Sequence, residues 1–167
     1  KNKGLSYLLD AVSQLKFHIL HSTFHILIIG SGEERENLEK LIQQYNLIGS
    51  VYMTGFIPNA SQLLKAFDIF SLPSIKEGLP YTVMEAMSAG LSAIVTRVGG
   101  TPDLVKDNEN GLMVGSKNSA ELYQGLKKLI SNAALRISIG EKAKQKIHKE
   151  FSFEKMLNQT VKLYENV

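Results

Sequence analysis

The most chemically informative part of the sequence is residues 74–90, where a loop runs into a helix whose first backbone donors have no evident partner. Pro80 is predicted to occupy the first helical position, and Leu79 before it cannot cap the helix because its side chain accepts no hydrogen bond. The N–H groups of residues 81–83 are therefore left for a ligand or for water. The positive end of the helix dipole makes such a start a candidate anion site.

Two carboxylates flank this helix start. Glu77 lies in the loop, and Glu85 lies within the helix among Met84, Ala86 and Met87. A single carboxylate in such surroundings is costly to bury without donors, and sugar or ribose hydroxyls would supply them. Taken singly, Glu85 is better interpreted as an early-helix acid favoured by the dipole, and Glu77 as a solvated loop charge. Together with the uncapped start, the pair favours a site whose ligand carries its phosphates between the two acids.

Short apolar runs alternate with longer helical patterns along the chain. This order predicts an α/β fold, a doubly wound Rossmann-like parallel sheet with helices on both faces. Strands are predicted at 24–29, 51–54, 69–72, 93–96 and 112–114. Helices are predicted at 5–15, 33–45, 59–67, 80–90 and from 120 onward. Asn59 is the predicted N-cap of the third helix, and the last helical region is predicted to break near 132 and at 151–152. Ligands of such folds bind beyond the carboxyl ends of the strands, where residues 30–32, 55–57, 74–78 and 98–100 lie.

The composition fits one domain over residues 1–167. Hydrophobic residues make up 44% and charged residues 21%, typical of a globular chain. The absence of cysteine excludes disulfides, thiolate nucleophiles and cysteine zinc sites. The net charge of +3 comes from charges mixed along the chain, so a nucleic-acid partner gains no support.

The stretch Ser74-x-x-Glu77-Gly78-Leu79-Pro80, followed by Glu85-Ala86-Met87-Ser88-Ala89-Gly90, resembles the signature of family 4 retaining glycosyltransferases. These nucleotide-sugar enzymes, the glycosyl transferases of group 1, have the GT-B fold. The likeness extends over nearly the whole chain, through Lys3-Gly4, Ile28-Ile29-Gly30-Ser31-Gly32, Val51-x-x-x-Gly55-Phe56-Ile57, Val98-Gly99-Gly100-Thr101-Pro102-Asp103 and Asn110-Gly111-Leu112-Met113-Val114.

The resemblance implies the C-terminal, donor-binding domain of a two-domain enzyme. It gives catalytic roles to Glu77, at the donor sugar, and to Lys3, which would neutralise the diphosphate. It assigns donor binding to Glu85 at the ribose, to backbone N–H groups around Gly78, Leu79, Thr82 and Val83 at the sugar and diphosphate, to Ile57 at the base, and to Gly32 in the second glycine loop. No metal or other cofactor is expected, in agreement with the lack of an Asp-x-Asp motif.

The implied reaction moves a sugar from a UDP-, GDP- or ADP-linked donor to an acceptor hydroxyl and retains the anomeric configuration of the sugar. Its expected setting is surface polysaccharide or glycolipid synthesis in the cytoplasm or at the inner face of the membrane. An upstream arginine of the relatives, their acceptor-binding domain and the first strand are missing, so we expect a fragment that transfers no sugar alone. The alternatives are a GT-B sugar-nucleotide epimerase or phosphorylase, or a non-catalytic nucleotide-sugar-binding module.

Other patterns carry less weight. The Gly30-Ser31-Gly32 turn lacks the third glycine of a dinucleotide fingerprint, so a nicotinamide or flavin cofactor is rejected. His18, His21 and His25 are too loosely spaced to predict a metal site. The basic run 142–149 is interpreted as a solvated helix face rather than a peripheral membrane contact. The apolar stripe of residues 151–164 is expected either to be exposed or to pack on its own domain.

Overall fold

Helices alternate with short strands along the chain, as the sequence pattern predicts. The computed structural model describes residues 2–18 and 24–165, so His21 lies outside the described residues. The elements in chain order are α1 (Leu5–His18), β1 (Ile26–Ile29), α2 (Arg35–Gln44), β2 (Val51–Gly55), a 3₁₀ helix (Ala60–Ala66), β3 (Ile69–Leu72), α3 (Tyr81–Ser88), β4 (Ser92–Thr96), α4 (Thr101–Leu104), β5 (Leu112–Val114), α5 (Ser119–Ser131), α6 (Ala133–Glu150) and α7 (Phe153–Glu165).

The strands are parallel and lie in two sheets. One sheet pairs β1 with β2, with Ile26 opposite Val51. The other has the order β3-β4-β5, with Phe70 opposite Ala93 and Ile94 opposite Leu112. Among the strands described, no ladder connects the two sheets. The parallel α/β class is confirmed, but its strands are divided between two sheets rather than joined in one.

Strand β4 shows why the fold is doubly wound, because all five of its residues are buried. Ala93 and Val95 pack in one core cluster with residues of α3 and α6. Ile94 points the other way, into a cluster formed with α1 and α5. Alternate side chains of one strand thus enter two cores, and helices cover both faces of the sheet.

Helix ends account for most differences from the predicted elements. Pro80 is the N-cap of α3 rather than its first residue. Asn59 stands at the predicted cap position, but it adopts a left-handed conformation and its side chain makes no capping hydrogen bond. The segment after it is a 3₁₀ helix, and α4 is an additional short helix. At the predicted break near residue 132, the Asn132 side chain caps α6 by accepting from the N–H of Leu135.

The C-terminal helix α7 is exposed along its length. Its apolar side chains, among them Phe153, Met156, Leu157 and Tyr164, are open to solvent. The expectation of exposed apolar surface is therefore confirmed, and packing on its own domain is wrong. None of the helices in the described ranges is both long and apolar enough to cross a membrane.

Candidate functional site

A carboxylate held by two donors lies in the loop between β3 and α3. Lys3 Nζ is 2.7 Å from Glu77 Oε1, and the Ser74 hydroxyl donates to the same oxygen at 2.6 Å. The Glu77 side chain is only 10% exposed, whereas that of Lys3 is 62% exposed. Among the described residues, nothing donates to Glu77 Oε2. One carboxylate oxygen is thus fixed while the other stays available as an acceptor.

These contacts also set the charge of Glu77. Burial acts to raise the pKa of its carboxyl, but the hydrogen bonds from Lys3 and Ser74 and the positive charge of Lys3 outweigh that effect. The pKa therefore lies below the usual value of 4.5. Glu77 is ionised at neutral pH and accepts hydrogen bonds without donating any. The alternative of a solvated loop charge is wrong.

Lys3 reaches Glu77 because the loop before α1 is tied to the loop after β3. Gly4 has a positive φ of 62°, and a β-carbon there would overlap the carbonyl oxygen of Pro73. The N–H of Ile75 donates to the carbonyl of Asn2 at 2.8 Å. Glycine is required at position 4 by both conformation and space, which gives a physical reason for the Lys3-Gly4 pair.

The start of α3 is open to solvent and offers backbone donors. Tyr81 is 74% exposed, and Thr82 is also exposed. Within the described chain, the N–H groups of Gly78, Leu79, Tyr81 and Thr82 have no acceptor. The N–H of Val83 does have one, the carbonyl of Pro80 at 3.0 Å, because Pro80 is the cap. The prediction that Val83 offers a free donor is therefore wrong, and the free donors belong to the loop before α3 and to the first two residues of α3.

The turn after β4 packs against the loop that carries Glu77. The N–H of Gly100 donates to the carbonyl of Gly78 at 2.7 Å. Gly99 has a positive φ of 53°, and a β-carbon there would overlap the carbonyl oxygen of Glu77. The turn at residues 98–101 thus fits against the backbone of the loop that carries Glu77.

The remaining predicted residues, Glu85, Gly32 and Ile57, are not among the side chains that contact Glu77. Glu85 is exposed, so the expectation that burial forces it to find donors is wrong. Gly32 is exposed and Ile57 is half-buried, in loops joined by the hydrogen bond from Gly30 N–H to Gly55 carbonyl at 2.8 Å. No hydrogen bond or ion pair among the residues that the structure describes links Gly32, Ile57 or Glu85 directly to Glu77.

Comparison with known proteins decides the family. The profile described as "Glycosyl transferases group 1" matches residues 1–146. The chain belongs to the glycosyl transferases of group 1. The lipopolysaccharide core biosynthesis glycosyltransferase LpsE of Rhizobium meliloti is 28% identical, over 92% of this chain and 44% of its own length.

Solved structures of glycosyltransferases share the fold. The C-terminal domain of the group 1 family protein LpcC from Francisella tularensis is 27% identical with a TM-score of 0.81, over 91% of this chain and 81% of that one. Anabaena HepE, solved in complex with UDP, is 22% identical with a TM-score of 0.91, over 99% of this chain and 46% of that one. This group 1 chain therefore has the C-terminal GT-B fold, and it spans less than half the length of LpsE.

The sequence patterns do not indicate the residues that position the glutamate. Ser74 belongs to the quoted signature without a role of its own, and no pattern points to the buried hydroxyls of Thr96 and Thr101. Thr96 Oγ1 donates to the Ser74 carbonyl at 2.5 Å, and Thr101 Oγ1 lies 2.7 Å from the carbonyl oxygens of Thr96 and Val98. The spacing Ser74-x-x-Glu77 was the available signal, because a hydroxyl three residues from an acid can reach it across a turn.

Proposed function

We propose that this domain binds the nucleotide-sugar donor of a retaining glycosyltransferase, and that the whole protein transfers the sugar to an acceptor hydroxyl in polysaccharide or glycolipid synthesis. Membership of the group 1 family supports the transferase class. The name of LpsE supports a polysaccharide product. The structures of HepE with UDP and with UDP-glucose support a nucleotide-sugar donor.

The observation that carries the proposal is the pairing of Lys3 with Glu77 beside the exposed start of α3. A nucleotide sugar offers hydroxyl groups and a diphosphate within a few ångströms of each other. The ionised Glu77 supplies an acceptor for hydroxyls, and Lys3 together with free N–H groups supplies donors for phosphate oxygens. The site therefore has complementary groups for both parts of the donor.

Each residue then takes a distinct role. During transfer the bond between the anomeric carbon and the diphosphate oxygen breaks, and its electron pair leaves with the diphosphate. The acceptor oxygen forms the new bond to the anomeric carbon, and its proton passes to the departing diphosphate. Lys3 and the N–H groups of Gly78, Leu79 and Thr82 stabilise that growing negative charge. Glu77 Oε2 accepts from a sugar hydroxyl and orients the donor. Glu85 accepts from the ribose hydroxyls, and the loop of Ile57 contacts the base.

The experiment is a calorimetric titration of the chain with UDP, UDP-glucose, GDP-mannose and ADP-glucose, compared with two variants. Glu85→Ala should weaken nucleotide binding about tenfold, because it removes charge-assisted hydrogen bonds to the ribose. Glu141→Ala is the matched control, since Glu141 is an exposed helical glutamate on α6, outside the site. The proposal fails if the wild-type chain binds none of the nucleotides, or if both variants bind as the wild type does.

A further inference from the structure

The Ser74 hydroxyl is the rigid one of the two groups that hold Glu77. Ser74 is fully buried, with no exposed surface. Lys3 is a long side chain, 62% exposed, so its ion pair is weakened by water and salt and its ammonium can leave Glu77 at little cost. The serine side chain is short and has a single heavy-atom torsion, so only a change of rotamer can take its hydroxyl away from Glu77.

Buried hydrogen bonds fix the backbone of Ser74. Its carbonyl accepts from Thr96 Oγ1 at 2.5 Å, at the end of the fully buried strand β4. Thr96 also contacts the fully buried Thr101, whose hydroxyl lies 2.7 Å from the carbonyl oxygens of both Thr96 and Val98 and can donate to either one. The next residue after Ser74 is fixed through the bond from its N–H to the Asn2 carbonyl. The backbone position of Ser74, from which its hydroxyl reaches Glu77, is therefore fixed.

A bound donor would compete with Glu77 for Lys3. A diphosphate carries more negative charge than one carboxylate and offers more acceptor oxygens, so Lys3 would turn towards it. Glu77 would then lose one of its two donors at the moment when its orientation matters for the sugar. Resting on the function proposed above, we propose that Ser74 is a positioning residue that keeps Glu77 Oε1 fixed, and Oε2 directed at a sugar hydroxyl, when Lys3 moves to the diphosphate.

Two readouts on the full chain test this role. The first is the pKa of the Glu77 carboxyl, followed by ¹³C NMR in the wild type and in Ser74→Ala. The second is the affinity for UDP-glucose relative to UDP, measured by calorimetry. Ser74→Ala should raise the pKa of Glu77 and weaken UDP-glucose binding about five- to tenfold, with UDP affinity changed less than about twofold. A merely structural serine would lower both affinities together.

Ser92→Ala is the control, because Ser92 is also buried, with 1% exposure, and its hydroxyl donates to the Asp68 carbonyl, outside the site. It should leave both readouts unchanged. If Ser74→Ala does not fold, Ser74→Cys, which keeps the shape with a weaker donor, should show the same changes at smaller size. An unchanged pKa of Glu77, or equal losses for UDP and UDP-glucose, overturns the role of Ser74. If the wild type binds neither nucleotide, the proposed function fails instead, while the pKa comparison still decides whether Ser74 holds Glu77.

Discussion

The fit of Gly99 against the loop of Glu77 makes Gly99→Ala a sharp test of how the site is built. A β-carbon at this position would overlap the carbonyl oxygen of Glu77 and would lie 2.9 Å from the carbonyl oxygen of Gly78. Both neighbours are backbone atoms, so no side-chain rotation can relieve the contact. The loop bearing Glu77 and the free N–H groups has to move.

The expected loss of stability has two parts. A positive φ of 53° costs alanine about 1–2 kcal/mol relative to glycine. Overpacking against fixed neighbours costs a further 1–3 kcal/mol or so. The free energy of unfolding should therefore fall by about 2–5 kcal/mol in all. Because the displaced loop carries the proposed donor contacts, UDP-glucose affinity should fall about tenfold or more.

Gly49→Ala separates the two parts. Gly49 also has a positive φ, of 80°, but a β-carbon there meets nothing within 4 Å, and it lies before β2, away from Glu77. It should lose only the conformational part, about 1–2 kcal/mol, and bind UDP-glucose as the wild type does. Urea unfolding followed by circular dichroism, together with calorimetric titration, measures both quantities. Equal losses of stability in the two variants, or wild-type affinity in Gly99→Ala, would refute the reasoning.

Three other outcomes follow from the structure. Because the pKa of Glu77 is lowered in the folded state, its ionised carboxylate stabilises the fold above the unfolded-state value of 4.5. The stability advantage of the wild type over Glu77→Gln should therefore vanish as the pH falls through the folded-state pKa. Urea unfolding between pH 7 and 3 measures this advantage, and an advantage that stays constant contradicts the prediction. Asn132→Ala removes the side-chain cap of α6 and should cost about 1 kcal/mol in the same unfolding assay, with a loss below about 0.3 kcal/mol counting against the cap. The chain alone, which spans 44% of LpsE, should bind donor but transfer no sugar, and acceptor-dependent UDP release from UDP-glucose would disprove this.

The sequence pattern predicted the helices and strands well where the buried residues of an element are close together in the sequence. The strands at Ile69–Leu72 and Leu112–Val114 have the predicted bounds, and the helices break at Asn132 and before Phe153 as expected. Apolar runs between glycines and polar caps determine these elements directly. The open helix start at residues 78–82 was also predictable, because leucine and proline leave backbone donors uncapped.

Contacts between distant segments were not predictable from the same patterns. The sequence alone does not show that Lys3 meets Glu77 across the loop before α1, or that Thr96 and Thr101 brace Ser74. Such hydrogen bonds depend on how α1, β3 and β4 pack, whereas periodicity reports only which face of an element is apolar. The prediction for Val83 is wrong because the first turn of α3 is tight, so the N–H of Val83 donates to the carbonyl of Pro80, three residues earlier.

The division of the strands into two sheets has a consequence for motion within the domain. Side chains of α1 such as Leu9, Val12 and Leu15, rather than a backbone ladder, join β1 and β2 to the rest of the core. If the contacts between the β1–β2 sheet and the rest of the core open transiently, the two strands should open as one unit. Their amides would then exchange with deuterium faster than those of β4. The loops of Gly32 and Ile57 follow the strands of the β1–β2 sheet, whereas Glu77 follows a strand of the other sheet. Such motion would therefore change the distance between Glu77, the proposed sugar contact, and the loop of Ile57, the proposed contact to the base.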